Sequence, residues 1–528
     1  MTGASRTSSM RNQTAAGLNL KSTPRIPPPS GGVIPSAASR DSAFIVSCTA
    51  HIALLAALLC VLPGCQSYEP RPLDLDATRA AWLSRTAGDL SVRDFAASLN
   101  TVDAGERLVF DSSDGLTLAE AEAVALVFNP ELRLARLEAN VARASADNAG
   151  LWQDPVLGVD MEQIVSGASG ANPWVAGSTL GITIPISGRL EAEKARSGAR
   201  LAARLDRLAA QEWATRAALR ELWTEWSVAR VRRDITAELI ASLRDVGSLA
   251  DRQEKAGSMT RVDARLFRVE LAGREADMIA AIARTKELEL QVRAMLGLAP
   301  ENVIALVPSV TFATRSTAEG SLRRLMESNN TELAAIRAEY EVAEQSLRTE
   351  IRKQYPDLTI GPGGGTDQGD TRVLLGISLP IPLWNRNQQG VAEAAAEREV
   401  ARGRFNTTYE HLGSKLAIAL SRFEAGKSQR AFVESSVVPL ADEQEADVRR
   451  VAALGRVDPL LLLESLKTQY AAKLRLVEAR AAESLGAIRI DELIGPSLSP
   501  STQAPAPTTP APLVPNLIHD PANAETER

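Results

Sequence analysis

An internal repeat limits what this chain can fold into more than any other feature of its sequence. The motif GITIPI at residues 181–186 returns as GISLPI at 376–381. The motif RVD at 261–263 returns unchanged at 456–458, and both pairs are 195 residues apart. Similarity that recurs at a fixed distance is typical of a duplicated supersecondary unit. We therefore expect one unit of structure in two copies.

A third pair of motifs indicates where the two copies differ in length. The motif NPEL at 129–132 returns as NTEL at 330–333, at a distance of 201 residues. The first copy therefore has six extra residues, which fall near 166–174. Length differences in true repeats concentrate in surface loops, so we expect a longer loop there.

Each copy has the same predicted order of helices and strands. A helical stretch comes first, over 118–150 in one copy and 322–353 in the other, and two extended segments follow. A long helix without proline then begins at Arg189 and reaches about Ala256, with a length on the order of 100 Å. The two shorter helices of the copy together have the same length, so we expect them to stack end to end beside it. Pro439 is expected to kink the long helix of the second copy.

The extended segments alternate between apolar residues and small or polar residues. This alternation is typical of a transmembrane β-strand, and a half-buried strand of a soluble sheet is the alternative. The predicted lipid-facing residues are Leu180, Ile182, Ile184 and Ile186 in the first copy, and Leu375, Ile377, Leu379 and Ile381 in the second. Trp174, Tyr355 and Trp384 flank these segments, and their amphipathic rings suit the headgroup level of a membrane.

Four strands from one chain are too few to close a barrel. Open sheet edges in lipid leave backbone amides without partners, so we expect several protomers to share one barrel. The glycine-rich segment 361–365 is expected as an exposed loop at the tip of the second strand pair. A phosphate-binding loop is excluded there, because no Lys-Ser or Lys-Thr follows.

The N-terminal region has the pattern of a secreted, lipid-anchored protein. Residues 43–62 form an apolar stretch that leads into Pro63-Gly64-Cys65. This pattern is typical of a bacterial lipoprotein signal, in which Cys65 is acylated and residues 1–64 are removed. Gln66 directly after the cysteine favours the outer membrane. A transmembrane helix or a plain secretory signal is the alternative.

Histidine and cysteine are too scarce in the body of the chain to support catalysis. All three cysteines lie at or before Cys65, and His411 is the one histidine between residues 66 and 496. The body of the chain therefore has almost no residues that could form a zinc site or a nucleophile–histidine pair. We therefore expect no enzyme activity, no cofactor and no metal site. The modest net charge of −6 argues against nucleic-acid binding.

These motifs together resemble the TolC-type outer-membrane efflux protein family. The matching features are LTL at 116–118 followed by NPEL, the Gly-x-x-x-Pro strand ends at Gly181 and Gly376, and the tips after the long helices. The resemblance covers roughly residues 115–495. It implies a homotrimer with a shared twelve-stranded barrel, a periplasmic helical tunnel, a periplasmic adaptor protein and an inner-membrane pump of RND type. The segment LWNRNQ at 383–388 resembles the heavy-metal-cation branch.

The same resemblance places the entrance of the duct at the tips between the helices. The predicted tip residues are Gly257, Arg261, Val262 and Asp263 in the first copy, and Gly455, Arg456, Val457 and Asp458 in the second. Asp458 matches an acidic position of the family's constriction, where a ring of carboxylates favours cations. Arg456 would pair with a nearby acid. The alternative is that Asp263 and Asp458 only cap the helices that follow them.

The expected fold is mainly α with transmembrane β, built from a duplicated helix–β-hairpin–long helix–helix unit. The expected segments are a leader at 1–64, an N-terminal periplasmic linker at 65–114, the first repeat at 115–299, an equatorial connector at 300–320, the second repeat at 321–495 and a disordered Pro/Thr/Ala-rich tail at 496–528. We predict the outer-membrane channel of a tripartite efflux system, a passive duct for small solutes. The alternatives are a lipid-anchored periplasmic coiled-coil scaffold or adaptor, and the exit duct of a protein secretion system.

Overall fold

The chain divides into two units, residues 1–74 and residues 75–528. The computed structural model describes residues 68–102, 110–111, 114–167, 174–310, 319–367, 370–453 and 458–496. In the first unit, the described residues 68–74 form no helix or strand. The predicted leader, Cys65 and the tail after residue 496 lie outside the described residues.

The second unit contains the duplicated order of helices and strands that the repeat predicts. Helices α1 (Leu75–Leu83) and α2 (Leu90–Val102) come first. The first copy follows with α3 (Leu118–Phe128), α4 (Pro130–Asp147), β1 (Val156–Gln163), β2 (Trp174–Ile184), α5 (Arg189–Lys255) and α6 (Arg261–Met295). The second copy has α7 (Glu319–Asn329), α8 (Thr331–Arg352), β3 (Leu358–Asp367), β4 (Asp370–Ser378), α9 (Gln388–Phe432), a π-helical turn (Val433–Val437), α10 (Val438–Ala453) and α11 (Pro459–Ile494).

The first helix expected in each copy is in fact a pair of helices, broken at an asparagine. Asn129 lies between α3 and α4, and its side-chain oxygen accepts a hydrogen bond from the backbone N–H of Leu132. Asn330 lies between α7 and α8 and accepts in the same way from Leu333. An N-cap residue has non-helical backbone angles, so one helix ends and the next begins there. The expectation of one continuous helix is therefore corrected in both copies.

The long helix α5 has 67 residues and packs beside shorter helices along its whole length. Helices α4 and α8 bond to the part of α5 that precedes Trp213, and α6 and α11 bond to the part from Trp213 onward. The side-chain amide of Asn129 donates to the carbonyl of Met295 at 2.9 Å, which joins the start of α4 to the end of α6. The predicted end-to-end stacking is confirmed. Within the described residues, no helix is long and apolar enough to cross a membrane.

Residues expected as a linker form α1 and α2, and α2 belongs to the core. Val92 and Ala96 are buried in one cluster with Val124 of α3 and with Trp223 and Trp226 of α5. The two tryptophan rings meet edge to face at 5.5 Å. The segment between the two copies adds Leu306, which pairs in parallel with Leu116 ahead of α3. Helix α2 and the segment around Leu306 therefore cover one side of α5 near its middle.

The long helix of the second copy is interrupted where the sequence predicts an effect of Pro439. Helix α9 ends at Phe432, and the π-helical turn Val433–Val437 leads into α10. Proline has no N–H to donate to the carbonyl four residues earlier, so the backbone rearranges in the preceding turn. The effect of Pro439 is therefore a π turn, and the helical rod continues beyond that turn as α10.

Candidate channel-forming sheet, belt and tips

The four strands form one antiparallel sheet in the order β1-β2-β3-β4. The register places Ile182 opposite Ile360, and Ile360 opposite Ile377. Cross-strand partners share a face, so the apolar residues of all four strands come together. We call this the apolar face; its members are Leu157, Val159, Met161, Leu180, Ile182, Ile184, Leu358, Ile360, Val373, Leu375 and Ile377.

The predicted lipid-facing residues divide between the apolar face and the segments beyond the strands. The apolar face includes five of them, Leu180, Ile182, Ile184, Leu375 and Ile377. The other three, Ile186, Leu379 and Ile381, lie past the strand ends and are corrected. The strands end at Ile184 and Ser378, shortly before Pro185 and Pro380. Proline cannot donate to the ladder, which explains the earlier ends.

The apolar residues of β1 and β3 were missing from the prediction. Leu157, Val159 and Met161 alternate along β1 with period two, so this signal was readable from the sequence. In β3 the only large aliphatic residues are Leu358 and Ile360, and glycines follow. The glycine part of that strand became recognisable only through its pairing with β2 and β4.

The opposite face of the sheet, which we call the small face, consists mostly of glycine, threonine and a few charged residues. Gly363 and Gly365 lie within β3, so the exposed loop expected at 361–365 is wrong. A Cβ on Gly363 would lie 2.4 Å from the carbonyl oxygen of Ser178, and one on Gly365 would lie 2.4 Å from that of Ala176. Strand β2 thus crowds this side of β3, so glycine is required at these two positions of the small face.

The sheet has two open edges and aromatic residues at both ends. Within the described residues, neither β1 nor β4 has a strand on its outer side, and every residue of β4 is exposed. Trp152, Tyr355 and Trp384 are exposed where the sheet meets the helices, and Trp174 is exposed at the loop end. Strands of 8 to 11 residues are about as long as strands that cross a bilayer.

Each copy closes on itself through the same glycine contact, which the sequence did not reveal. Gly297 follows α6 with a φ of +70°, and a Cβ there would lie 2.0 Å from the carbonyl oxygen of Phe128. Gly495 follows α11 with a φ of +76°, and its Cβ would lie 2.1 Å from the carbonyl oxygen of Asn329. Glycine is required at both positions for two reasons. The backbone has a positive φ, and the neighbouring carbonyl oxygen leaves no space for a Cβ.

A buried ionic network connects the two copies near the middle of α5. Arg220 donates to Glu122 of α3 and to Asp491 of α11, and all three side chains are at most 10% exposed. Arg216 also pairs with Glu122 at 2.7 Å and lies over the Trp213 ring. Burial lowers the pKa of the Arg220 guanidinium, but the two carboxylates outweigh burial and raise the pKa overall. The sequence contains only a weak sign of this network, which is the presence of Glu122 in the apolar helix α3.

The first helical tip is a glycine turn followed by a capped helix. Gly257 has a φ of +72°. The hydroxyl oxygen of Thr260 accepts from the backbone N–H of Asp263, and the Asp263 carboxylate accepts from that hydroxyl at 2.7 Å. Thr260 is therefore the N-cap, and the capping interpretation of Asp263 is wrong. Arg261 pairs with an acid of α5 at 3.4 Å, and Val262 is 70% exposed.

The second helical tip is described only from Asp458 onward. Asp458 caps α11 by accepting a hydrogen bond from the backbone N–H of Leu460 at 2.9 Å, and it is exposed. The capping interpretation is confirmed for this residue, and an exposed cap leaves its charge available to solutes. Gly455, Arg456 and Val457 lie outside the described residues, so the predicted pairing of Arg456 stays a prediction.

The segment 383–388 forms the tight turn between the sheet and α9. Arg386 and Asn387 both have positive φ, of 45° and 50°. The side-chain amide of Asn387 donates to the backbone carbonyl of Glu350 at 2.9 Å and to its carboxylate at 2.8 Å. Burial raises the pKa of Glu350, but hydrogen bonds from Lys353 and Asn387 lower it overall. This turn therefore fixes the end of α8 against the start of α9.

Long helices that lead into a two-faced sheet with open edges define the class of outer-membrane channel subunits. The sequence model of the family described as outer membrane efflux protein matches residues 123–298 and 322–496. This chain belongs to the outer membrane efflux protein family. The family consists of efflux proteins and not of enzymes, and its place is the outer membrane.

Similar proteins support the same assignment. The cobalt-zinc-cadmium resistance protein CzcC of Cupriavidus metallidurans is 24% identical over 291 residues, which is 51% of this chain and 69% of CzcC. The crystal structure of CusC matches with a TM-score of 0.60 at 15% identity, over 75% of this chain and 95% of CusC. VceC from Vibrio cholerae matches with a TM-score of 0.59 at 17% identity, over 72% and 96% of the two chains. At this level of identity, the structural matches establish the fold.

Proposed function

We propose that this outer-membrane efflux protein is a passive exit duct for small solutes, in which three copies share one β-barrel. The four-stranded sheet carries the proposal. Within the described residues, it is apolar on one face, small and polar on the other, and open at both edges. An outward apolar face suits lipid, and an inward small face suits a water-filled lumen.

Open sheet edges explain why more than one copy is required. In lipid, the edge N–H and C=O groups of β1 and β4 are strongly unfavourable unless a neighbouring strand pairs with them. If β4 of one copy pairs with β1 of the next, the same contact repeats around a ring and satisfies every edge. From the family resemblance we propose three copies, which would give twelve strands.

The helices extend the duct away from the membrane. Helix α5 begins directly after the sheet and ends at the first tip, about 100 Å away. We assign the two tips to the periplasmic entrance, with Asp458 in a ring of carboxylates that favours cations. A periplasmic adaptor protein and an inner-membrane pump of RND type would deliver the solute there, and the pump would supply the energy.

We infer heavy-metal cations as the cargo. The inference draws on the name of CzcC, a cobalt-zinc-cadmium resistance protein, and on the 383–388 segment. The duct itself would supply no catalysis and no cofactor. Deletion of its gene should sensitise the cells to cobalt, zinc and cadmium salts. Normal metal tolerance with loss of a secreted protein would favour the secretion-duct alternative instead.

The N-terminal signal adds an anchor to this picture. We propose that Cys65 is acylated after removal of residues 1–64, which would hold the mature chain at the outer membrane. Mass spectrometry of the mature protein should find lipid on Cys65, and Cys65→Ser should abolish it. An unmodified N-terminus elsewhere in the chain would contradict the proposal.

Two adjacent leucines provide a matched test of the duct. Leu375 lies on the apolar face and is 70% exposed, and Leu374 lies on the small face and is 44% exposed. Leu375→Arg should block membrane insertion, because arginine in the middle of a lipid-facing strand costs about 2–4 kcal/mol per copy. Leu374→Arg should insert and change the conductance.

The readouts are heat-modifiable trimers on gels and ion conductance in planar bilayers. The unsubstituted protein should show both. A soluble monomer without conductance, or equal behaviour of the two arginine variants, would contradict the proposal. A scaffold or adaptor, the other interpretation of the sequence, is set aside, because the chain belongs to the efflux protein family.

A further inference from the structure

Three arginines lie where the second strand pair meets the helices. Arg348 and Arg352 are four residues apart at the end of α8, so they share one face of that helix. Arg386 lies in the turn that leads into α9. In the first copy, the residues 201 positions before the two arginines of α8 are Asp147 and Leu151. The first copy therefore has no basic residue at these two positions.

The three arginines are exposed and have no acidic partner. Within the described residues, Arg348 and Arg352 form no hydrogen bond and no ion pair, and Arg386 donates to a backbone carbonyl at 3.3 Å. The carboxylate of Glu350 belongs to the same turn of α8, but it already pairs with Lys353 at 2.6 Å. Three positive charges are therefore available to an anion from outside this part of the chain.

The two arginines of α8 lie on the side opposite the cleft between α5 and α9. Ala343 of α8 lines that cleft together with Arg200 of α5 and Val400 of α9. Because helices on both sides of α8 reach the cleft, it is on the concave side of the three helices. Arg352 follows Ala343 by nine residues, or about two and a half turns, and so lies on the convex side with Arg348. In a helical duct, the convex side faces away from the lumen.

Exposed aromatic side chains lie at the same level as the arginines. Tyr355 directly follows α8 and its turn, and Trp384 is 88% exposed. The side-chain amide of Asn387 donates to the backbone carbonyl of Glu350, which holds the turn 383–388 beside the end of α8. Basic groups beside amphipathic rings suit the boundary between the headgroups and the acyl chains of a membrane. A free inorganic anion would have no use for the aromatic part.

We propose that Arg348, Arg352 and Arg386 bind the headgroups of anionic phospholipids in the periplasmic leaflet, while Tyr355 and Trp384 lie against the upper part of the acyl chains. The leaflet is the periplasmic one because the helices extend away from the sheet on this side. The proposal rests on the proposed function in one respect, because these side chains reach lipid only if the sheet is inserted in the membrane.

The test measures lipid binding to the purified full-length protein by native mass spectrometry. The probes are phosphatidylglycerol and phosphatidylcholine with identical acyl chains. The unsubstituted protein should retain phosphatidylglycerol in preference to phosphatidylcholine, and added salt should weaken the preference. The double variant Arg348→Gln, Arg352→Gln should lower the preference about 25-fold, since each basic side chain near an anionic membrane surface contributes about fivefold in affinity.

Two further variants serve as controls. Arg265→Gln removes an exposed arginine of α6 near the first tip, far from the sheet, and should leave the preference unchanged. Arg352→Lys keeps the positive charge and should retain most of the preference. An undiminished preference in the double variant, or a loss of the same size in Arg265→Gln, would overturn the proposal.

A substitution of the exposed tryptophan tests the aromatic part of this surface. Trp384→Ala should weaken the binding of both lipids by a similar factor, because an aromatic ring at headgroup level does not select for charge. Unchanged binding of both lipids would contradict the place of Trp384 in the surface.

Ion conductance in planar bilayers separates this proposal from the proposed function. A protein that conducts but shows no preference for phosphatidylglycerol would overturn the lipid-binding surface and leave the duct intact. A clear preference in a protein that does not conduct would leave the lipid-binding surface intact and overturn the duct.

Discussion

At the scale of single residues, glycines decide where the helices of this protein can touch. Gly297 and Gly495 each end a returning helix, and each lies against the carbonyl of the residue before an asparagine N-cap. The contact closes each copy of the repeat, because the asparagine also donates to the end of that helix. A methyl group at either glycine would have no space.

Gly297→Ala should therefore lower the thermal midpoint of the purified protein. Alanine at a φ of +70° is strained and would meet the carbonyl of Phe128, so we expect a loss of about 1–3 kcal/mol. Gly273→Ala is the control, since Gly273 lies inside α6, the helix that Gly297 follows, with open space around it. That variant should gain up to about 1 kcal/mol. A stable Gly297→Ala protein would show that the contact is not required.

Single residues also determine whether a buried charge has a partner of opposite charge. Arg220→Met should destabilise the protein by about 3–5 kcal/mol, because Glu122 and Asp491 would stay buried without their partner. Arg489→Met is the comparison: Arg489 also forms two ion pairs, but its side chain is 52% exposed. Its loss should cost less than about 1 kcal/mol. Similar midpoints for the two variants in thermal unfolding would refute the role of burial.

At the scale of the element, two ion pairs of Glu434 connect the π-helical turn to α9 and α11, and both are sensitive to acid: Glu434 accepts hydrogen bonds from Arg430 and from Arg480. The hydrogen bond from Arg480, and then that from Arg430, lower the pKa of Glu434 below its ordinary value of 4.5. A lowered carboxyl pKa means that the stabilisation is complete above pH 4.5 and is lost as pH falls through the lowered value. Glu483 faces Arg430 from α11 and keeps that arginine in place.

We therefore expect the difference between the unsubstituted protein and Glu434→Gln to depend on pH. Protection factors of the backbone amides in residues 438–453 should differ near neutral pH and converge as the pH falls through the lowered pKa of the Glu434 carboxyl, where its charge is lost. Glu238→Gln, which removes the ion pair between α5 and Lys473, should show no such convergence. A difference that persists once the carboxyl is protonated would mean that the charge of Glu434 does not hold this segment in place.

The individual helices and strands also show how much of the fold can be predicted from patterns in the sequence. The alternation from Leu180 to Ile184 predicts a strand, and the absence of proline from Arg189 onward predicts a long helix; both form. The breaks at Asn129 and Asn330 were missed, because an asparagine within a helical pattern shows no sign that its side chain will cap the next helix. The glycine segment 361–365 of strand β3 was taken for a loop, because glycine has no side chain to carry a pattern.

At the scale of the whole molecule, the charge of Asp458 at the proposed entrance can be separated from its structural role. Asp458 caps α11, and asparagine is as good an N-cap as aspartate. Asp458→Asn should therefore keep the fold but reduce cation selectivity, seen as a reversal potential closer to zero under a salt gradient in planar bilayers. An unchanged reversal potential would show that no carboxylate ring forms there. Asp458→Ala, which loses the cap as well, should also lower the thermal midpoint.

Assembly is the other property that we propose for the whole molecule, and it is argued from the sheet. If the sheet lies in lipid, its two open edges satisfy their backbone groups only by pairing with neighbouring copies. The sequence predicted the need for partners, whereas the pairing that places the apolar residues of all four strands on one face came from the structure.

The sequence by itself determined the duplication, the alternating strands, the long rods and the effect of Pro439, because each is written in neighbouring residues or in their period. Only the tertiary structure decided the network that joins Arg220 to Glu122 and Asp491, which lie 98 and 271 residues away along the chain. The same holds for the contact between Gly297 and Phe128. Such pairs depend on which helices become neighbours, and a local pattern carries no information about distant partners.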